Sequence, residues 1–221
     1  MTRLKICGLR EARHARAAAD AGADFLGFVF VPGVRRQLPE SEGRRVIDEY
    51  RDSHPSGGPK VVGLFANQPL EEVNRMAKSC GLDMVQLCGD ELPDYWEQVD
   101  VPVIRQIKVR DDGQHDRTTA LVTESVAEVV AHGHIASLDS HKSGSHGGTG
   151  RKFDWSIASK VAGHHDFLLA GGLDLDNVND AIESVAPWGV DVSSGVETNA
   201  VKDLEKITAF ASRVRAHGDP G

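Results

Sequence analysis

Cysteine is scarce: three in 221 residues, a number that cannot all pair within one chain. That excludes a disulfide framework and suits a reducing compartment, with the thiols either buried or free for chemistry. Basic residues are in deficit, 25 Lys and Arg against 33 Asp and Glu, for a formal charge of −8. An acidic chain argues against a general nucleic-acid coat or an anionic-membrane binder, though not against a small anionic ligand held by local fields. No apolar run approaches the roughly 18 residues of a membrane span. Met1-Thr2-Arg3 leads directly into Leu4-Lys5-Ile6, without the charged and apolar regions of a leader, so a cytoplasmic location is expected. Aromatics are only 5% whereas glycines number 23, which predicts aliphatic packing and many tight turns.

Several motifs are also missing. No G-x-G-x-x-G follows the first apolar run, and no G-x-S-x-G elbow occurs. Gly147-Gly148-Thr149-Gly150 has the wrong spacing for a G-x-x-x-x-G-K-[ST] loop. Four of the ten histidines (His132, His134, His141, His146) fall within fifteen residues, but they form no metal-ligand spacing and read as solvated loop groups. Neither a metal nor an organic cofactor is expected.

What the chain does have is alternation. Short aliphatic runs recur at Leu4–Cys7, Phe25–Phe30, Lys60–Phe65, Met84–Leu87, Val103–Ile107, His134–Leu138, Phe167–Ala170 and Gly189–Val192. Runs of this length, bounded by Gly, Pro, Asp or Asn, suit buried strands of a parallel sheet. Helix signals lie between them. Residues 11–21 are Ala-rich and stop at Gly22; Pro39-Glu40 and Pro69-Leu70 open two more helices. Pro93, residues 117–131, Trp155, Val178 and Lys202-Asp203-Leu204 mark the other five. Eight strands alternating with eight helices predict one (β/α)8 TIM barrel over residues 1–221, with a frayed tail after about Val214. At about 28 residues per unit the barrel is compact. The runner-up is an open doubly wound sheet, which lacks its glycine fingerprint.

In such a barrel the reactive groups sit at the C-terminal ends of the strands and in the loops after them. That rule selects few residues. Gly171-Gly172 after the seventh run and Ser193-Ser194-Gly195 after the eighth match a two-loop phosphate site, where backbone N–H groups and the N-terminus of a short extra helix hold the anion. Such glycines can also serve merely as tight turns. Cys7 and Cys88 each end a strand before a glycine, positions where a thiol can act if a neighbouring cation ionises it, although a free Cys is more often an inert core residue. Cys80, near a helix end, reads as core. Asp139 follows an apolar run, where desolvation would raise its pKa and make it a general acid; its bland alternative is a loop anchor. Arg36 could grip a carboxylate bidentately, with Arg35 as the decoy. Asp191 lies on the eighth run.

With those residues placed, the chain resembles the phosphoribosylanthranilate isomerase family from about residue 3 to residue 212. The resemblance is carried by Lys5-Ile6-Cys7-Gly8-Leu9, Gly22-Ala23-Asp24 with Gly27-Phe28-Val29-Phe30, Arg36, Val85-Gln86-Leu87, Leu138-Asp139-Ser140, Gly147–Gly150 with Phe153-Asp154-Trp155, Ala170–Leu173 and Val190–Glu197. Each segment is weak alone; their joint order and spacing are specific. The resemblance implies a TIM barrel and an Amadori rearrangement in tryptophan biosynthesis. It implies Cys7 as general base, Asp139 as general acid and Arg36 on the anthranilate carboxylate. Gly172, Ser194 and Gly195, with Gly171 and Ser193 beside them, would cradle the phosphate, and Asp191 would touch the ligand. Where the family usually has His, this chain has Cys88, a smaller and weaker donor. The implied partner is a small phosphorylated substrate, with no nucleic acid or membrane, and the implied state a monomer or homodimer. Two alternatives stand beside this one: a phosphate-binding barrel that no longer catalyses, and the histidine-pathway aminoaldose isomerase, whose first strand ends in Asp rather than Cys.

Overall fold

A computed structural model of the chain describes residues 1–55, 57–110, 114–140 and 154–217. The elements run β1 (Arg3–Cys7), α1 (Ala12–Asp20), β2 (Phe25–Val29), α2 (Glu40–Ser53), β3 (Lys60–Phe65), α3 (Leu70–Ser79), β4 (Met84–Leu87), α4 (Pro93–Trp96) and β5 (Val103–Val109). They continue with α5 (His115–Ala131), β6 (Ile135–Ser140), α6 (Trp155–Ala162), β7 (Phe167–Leu169), α7 (Val178–Val185), β8 (Gly189–Val192), β9 (Glu197–Thr198), β10 (Val201–Lys202) and α8 (Leu204–Ala216). Strands β1 to β8 pair in chain order, all parallel, and β8 returns to β1 to close the barrel. The expected (β/α)8 architecture is therefore what the chain adopts.

Side chains alternate across a strand with period two. In β1 this turns Lys5 and Cys7 inward and Leu4 and Ile6 outward. The inward apolar set (Phe25, Val62, Met84, Ile104 and Leu168) packs together below Cys7 and Cys88. The outward set meets the helices: Leu4, Ile6, Leu26, Val61, Val85 and Leu138 join Ala15, Val46, Val73, Val126, Ile157 and Phe210. Truncating any one of these large buried side chains to Ala costs about 2–5 kcal/mol.

The barrel seam is secured by polar contacts. The Asp24 carboxylate accepts from the Leu4 amide at 2.8 Å, from Arg3 at 2.7 Å and from Arg215 at 3.0 Å, tying β1 to α8. Arg215 also donates to the carbonyls of Gly22 and Thr2. Helix α8 thus continues through Ala216, and the fraying expected after Val214 does not apply to Arg215 and Ala216. Asp203 caps this helix, accepting from the amides of Glu205 and Lys206, a contribution of about 1 kcal/mol.

Strand β6 runs through Ser140, so Asp139 stands at the strand end, as expected. Two other expectations are corrected. Lys202 does not open α8 but ends a small antiparallel hairpin, β9–β10, that the aliphatic pattern gave no hint of. His132 and His134 lie in the turn between α5 and β6, as expected, but are half-buried rather than solvated: His132 Nδ1 pairs with the Glu97 carboxylate at 2.9 Å, and both rings pack edge-on to Trp96. His141, His146, Gly147–Gly150 and Phe153 lie outside the described residues. Cys80 is buried as core, as expected, and no described cysteine is bonded to another.

Candidate active site

A cavity of about 450 Å³ opens at the C-terminal ends of the strands. Its lining includes Cys7, Arg36, Cys88, Asp139, Gly171, Gly172, Asp191, Ser193 and Ser194. Nine of the ten predicted site residues therefore converge. Gly195 does not line it. It packs behind, against the carbonyl of Leu173, where an added Cβ would overlap the backbone, so this glycine sets how closely the β8 loop approaches the β7 loop.

Those two loops are held from outside the cavity. Asn177 donates to the Gly172 carbonyl at 2.9 Å and accepts from the Asp174 amide at 3.2 Å. Lys202, from the hairpin, donates to the Ser193 carbonyl at 2.7 Å, and Ser193 Oγ donates to the Cys7 carbonyl at 3.0 Å. Gly171 is at φ 90°, and a Cβ there would lie 2.8 Å from Asp139 Oδ1 and 2.7 Å from the Ser140 amide. The short helix expected beside the phosphate loops is absent among the described residues; the β9–β10 hairpin fills that stretch, and α8 begins only at Leu204. These loops present backbone amides and nearby cations, not a helix dipole, to the cavity.

Cys7 and Asp139 face the same space in different surroundings. Cys7 is buried, and burial pushes its thiol above the usual range; the Lys5 ammonium opposes this and Asp191 adds to it. Lys5 is fully buried, with Nζ donating to Asp191 Oδ2 at 2.7 Å. Despite its burial, Asp191 and Cys7 hold Lys5 firmly protonated. Asp139 is 5% exposed and bonded by Gln106 Nε2 at 2.6 Å. Burial first, and the charge of Asp191 second, lift its carboxyl to about 6. Burial pushes the Cys88 thiol to about 12, and Gln86 Nε2 donates to its sulfur at 3.6 Å. Cys88 is thus a neutral lining group, and of the two strand-end thiols only Cys7 has the Lys5 ammonium on its own strand face.

Arg36 is not a free cation. Its Nε and Nη2 bond Glu197 at 2.7 and 3.1 Å, Arg35 bonds the same carboxylate at 2.7 Å, and Lys202 does so at 3.1 Å. Burial opposes ionisation of Glu197, but Arg36, Lys202 and Arg35 together bring it down to about 2. Burial draws Lys202 down to about 8 against the pull of Glu197. Arg35, read from sequence as a decoy, also lines the cavity.

Sequence reasoning missed Lys5, Gln86, Gln106, Glu197 and Lys202. Lys5 and Gln86 each lie two residues before a strand-end thiol, and period two would have placed both inside. Gln106 lies inside β5 by the same alternation. Glu197 and Lys202 reach the site through a hairpin that periodicity does not reveal. Asp191 Oδ1, Gln86 Oε1 and Gln106 Oε1 are buried acceptors without a donor among the described residues. Among those residues no group of three or more His, Cys, Asp or Glu is arranged to hold a metal, and no helix is long and apolar enough to cross a membrane.

A buried thiol beside an ammonium, and a carboxyl poised near neutrality in the same cavity, are groups with which a site can take up one proton and deliver another. Comparison with known proteins agrees with this geometry. The family model described as N-(5'-phosphoribosyl)anthranilate (PRA) isomerase matches residues 4–213. The N-(5'-phosphoribosyl)anthranilate isomerase of Citrifermentans bemidjiense is 43% identical over 216 residues, 97% of this chain and 98% of that protein. That of Dehalococcoides mccartyi is 40% identical over 218 residues, 97% and 96% of the two chains. The crystal structure of phosphoribosyl anthranilate isomerase from Thermotoga maritima aligns with a TM-score of 0.83 at 30% identity, over 98% of this chain and all of that one. A phosphoribosyl anthranilate isomerase in complex with reduced 1-(o-carboxyphenylamino)-1-deoxyribulose 5-phosphate aligns with a TM-score of 0.80 at 29% identity, over 98% and 100%. The chain belongs to the N-(5'-phosphoribosyl)anthranilate isomerase family.

Proposed function

We propose that this protein converts N-(5'-phosphoribosyl)anthranilate to 1-(2-carboxyphenylamino)-1-deoxyribulose 5-phosphate, the isomerisation step of tryptophan biosynthesis. The observation that carries the reading is the convergence of Cys7 and Asp139 on one cavity, with the carboxyl raised to about 6. Asp139, protonated, donates to the ribose ring oxygen as the C1'–O bond breaks. The anthranilate nitrogen supplies the electron pair and becomes an iminium. Cys7, ionised, takes the C2' proton, and the C–H electrons neutralise the iminium as an enolamine. That species tautomerises to the ketone. The substrate nitrogen is the electron sink, so the chemistry needs only one acid and one base, each contributing about 10²–10⁴-fold.

Binding follows from the same walls. Backbone amides of the Gly171-Gly172 and Ser193-Ser194 loops face the phosphate, with Gly195 setting their separation and Lys202 bracing Ser193. Arg36 shares its charge between Glu197 and the anthranilate carboxylate. Asp191 Oδ1 accepts from the substrate, and Cys88 packs against it without titrating. The protein acts in the cytoplasm as a monomer or homodimer, and the dimeric relative from Thermotoga maritima supports the second.

The test is turnover by purified protein of the anthranilate ribotide generated in place, followed by loss of its fluorescence, beside the histidine-pathway aminoaldose. Turnover of the first and not the second is expected. Binding of the product analogue without turnover would instead establish a non-catalytic barrel, and preference for the second substrate would reassign the pathway.

A further inference from the structure

Lys5 has no evident reason to be where it is. It is a fully buried cation on the inner face of the barrel, directly above a packed apolar layer of Phe25, Val62, Met84, Ile104 and Leu168. Its register partner on β8 is Asp191, and the two close a 2.7 Å ion pair. Buried pairs of this kind are commonly no more stabilising than apolar residues of equal volume. Stability therefore does not account for it. Position does: Lys5 lies two residues before Cys7 on the same strand, hence on the same face, one pleat further down. The Cys7 sulfur rests against Gly27 of β2, in space that an added Cβ would occupy to within 2.9 Å.

We propose that Lys5 is the positioning residue that makes Cys7 a base, its ammonium fixed by Asp191 so that the thiolate forms against a stationary positive charge. This rests on the reading of Cys7 as the base. The charged and titratable groups facing the thiol are few. Lys5 comes from β1 itself, Asp191 from β8, Lys202 from β10 and Cys88 from the end of β4, with Asp139 of β6 and Arg36 lining the same cavity; β2 brings Gly27 against the sulfur. Lys202 is already committed to Glu197 and Ser193, and Cys88 stays neutral. The balance at the thiol thus lies between the Lys5 ammonium and the Asp191 carboxylate, with Lys5 the stronger influence. The departure from a plain ion pair is that the two charges do not cancel at Cys7.

The experiment follows iodoacetamide labelling at Cys7 against pH, read by peptide mass spectrometry, in wild type, Lys5→Met, Asp191→Asn and the Lys5→Met/Asp191→Asn double variant. An opposite charge at this range moves a titration by about one to three pH units. The expected order of labelling midpoints, lowest first, is Asp191→Asn, wild type, double variant, Lys5→Met. Turnover gives a matching readout. The productive form has Asp139 protonated and Cys7 ionised, so kcat/KM in Lys5→Met falls about tenfold at neutral pH for each pH unit that the midpoint rises. The double variant buries no unpaired charge and keeps the test available if Lys5→Met does not fold. A double variant that labels with the wild-type midpoint would show that Lys5 only cancels Asp191 and would overturn the proposal, as would an unmoved midpoint in Lys5→Met. Failure of the base reading looks different: Cys7→Ala would keep its turnover, whatever the labelling series shows.

Discussion

On the β1–β8 side of the barrel mouth, Cys7 sits among charges: Lys5 and Asp191 below it, Lys202 behind it, and Glu197 shared with Arg35 and Arg36 beyond. On the β5–β6 side, Asp139 is bonded by a neutral amide, Gln106, and no cation lies within hydrogen-bonding distance of it among the described residues. The two sides solve opposite problems. A base must be ionised where burial forbids it, so it needs fixed cations. An acid must keep its proton near neutrality, so it needs burial and the absence of a salt bridge. Both sides stand on the same apolar floor, and what distinguishes them is which interior strand positions carry charge.

The sharpest way to break this comparison is to remove each titrating group. Cys7→Ala and Asp139→Asn are each expected to lower kcat by at least about 10²-fold. Their pH signatures differ. Asp139 titrates at about 6, below the raised thiol of Cys7, so the productive form, acid protonated and base ionised, is the minor one. Below about 6 Asp139 is protonated and kcat/KM climbs with the thiolate fraction; between the two values it is flat; above the Cys7 value it falls as Asp139 continues to lose its proton. The break near 6 thus belongs to Asp139, and whatever activity Asp139→Asn retains should climb on toward the Cys7 value without it. A break that stays near 6 in that variant would refute the assignment.

A smaller effect is expected from Gly171→Ala, which strains the β5–β6 side alone. The backbone there is at φ 90°, and the new Cβ would press on Asp139 Oδ1. A displaced acid costs about 10–10²-fold in kcat, with KM less affected. Equal loss in kcat and none in thermal stability would be inconsistent with the strain.

Next comes Glu197→Gln on the charged side. With its folded value near 2, Glu197 contributes stability that is present above the unfolded carboxylate range, about 4.3, and is lost as pH falls through about 2. The variant should lose about 1–3 kcal/mol at neutral pH, less than a fully buried pair because Arg35 is exposed, and its stability should flatten over that acid window. It should also alter KM, since Arg36 would be released from its partner. Urea unfolding across pH measures both slopes.

The legibility of the molecule divides along the same line. All eight barrel strands could be read from local runs, because most of their positions are buried and carry aliphatic residues bounded by breakers. That Cys7, Asp139 and the loops after β7 and β8 share one cavity followed once the barrel rule said where to look. What escaped was the electrostatic support. Lys5 meets Asp191 across 186 residues and Arg36 meets Glu197 across 161, and no local period encodes such pairs. Lys5 was nevertheless readable in hindsight, since alternation from Cys7 turns it inward. Lys202 was not, because a two-residue strand ahead of Asp203 looks like a helix start.

The smallest effect is the most discriminating for the acid side. Gln106 Nε2 donates to Asp139 Oδ2 at 2.6 Å, favouring the ionised carboxylate, though burial and Asp191 outweigh it. Gln106→Met keeps the volume and removes the donor, so Asp139 should hold its proton more tightly. The acid limb of kcat/KM then moves up by less than about one pH unit. The productive fraction at neutral pH grows by the same factor, while the carboxyl loses the contact that orients it. These two consequences oppose each other, so turnover at neutral pH should change only a few-fold, by the arithmetic of a single hydrogen bond worth about 1 kcal/mol. The limb, not the rate, is the readout. If it stays at its wild-type position while Gln106→Met still folds, the raised carboxyl owes nothing to its amide partner. The contrast between the two sides would then reduce to burial against charge.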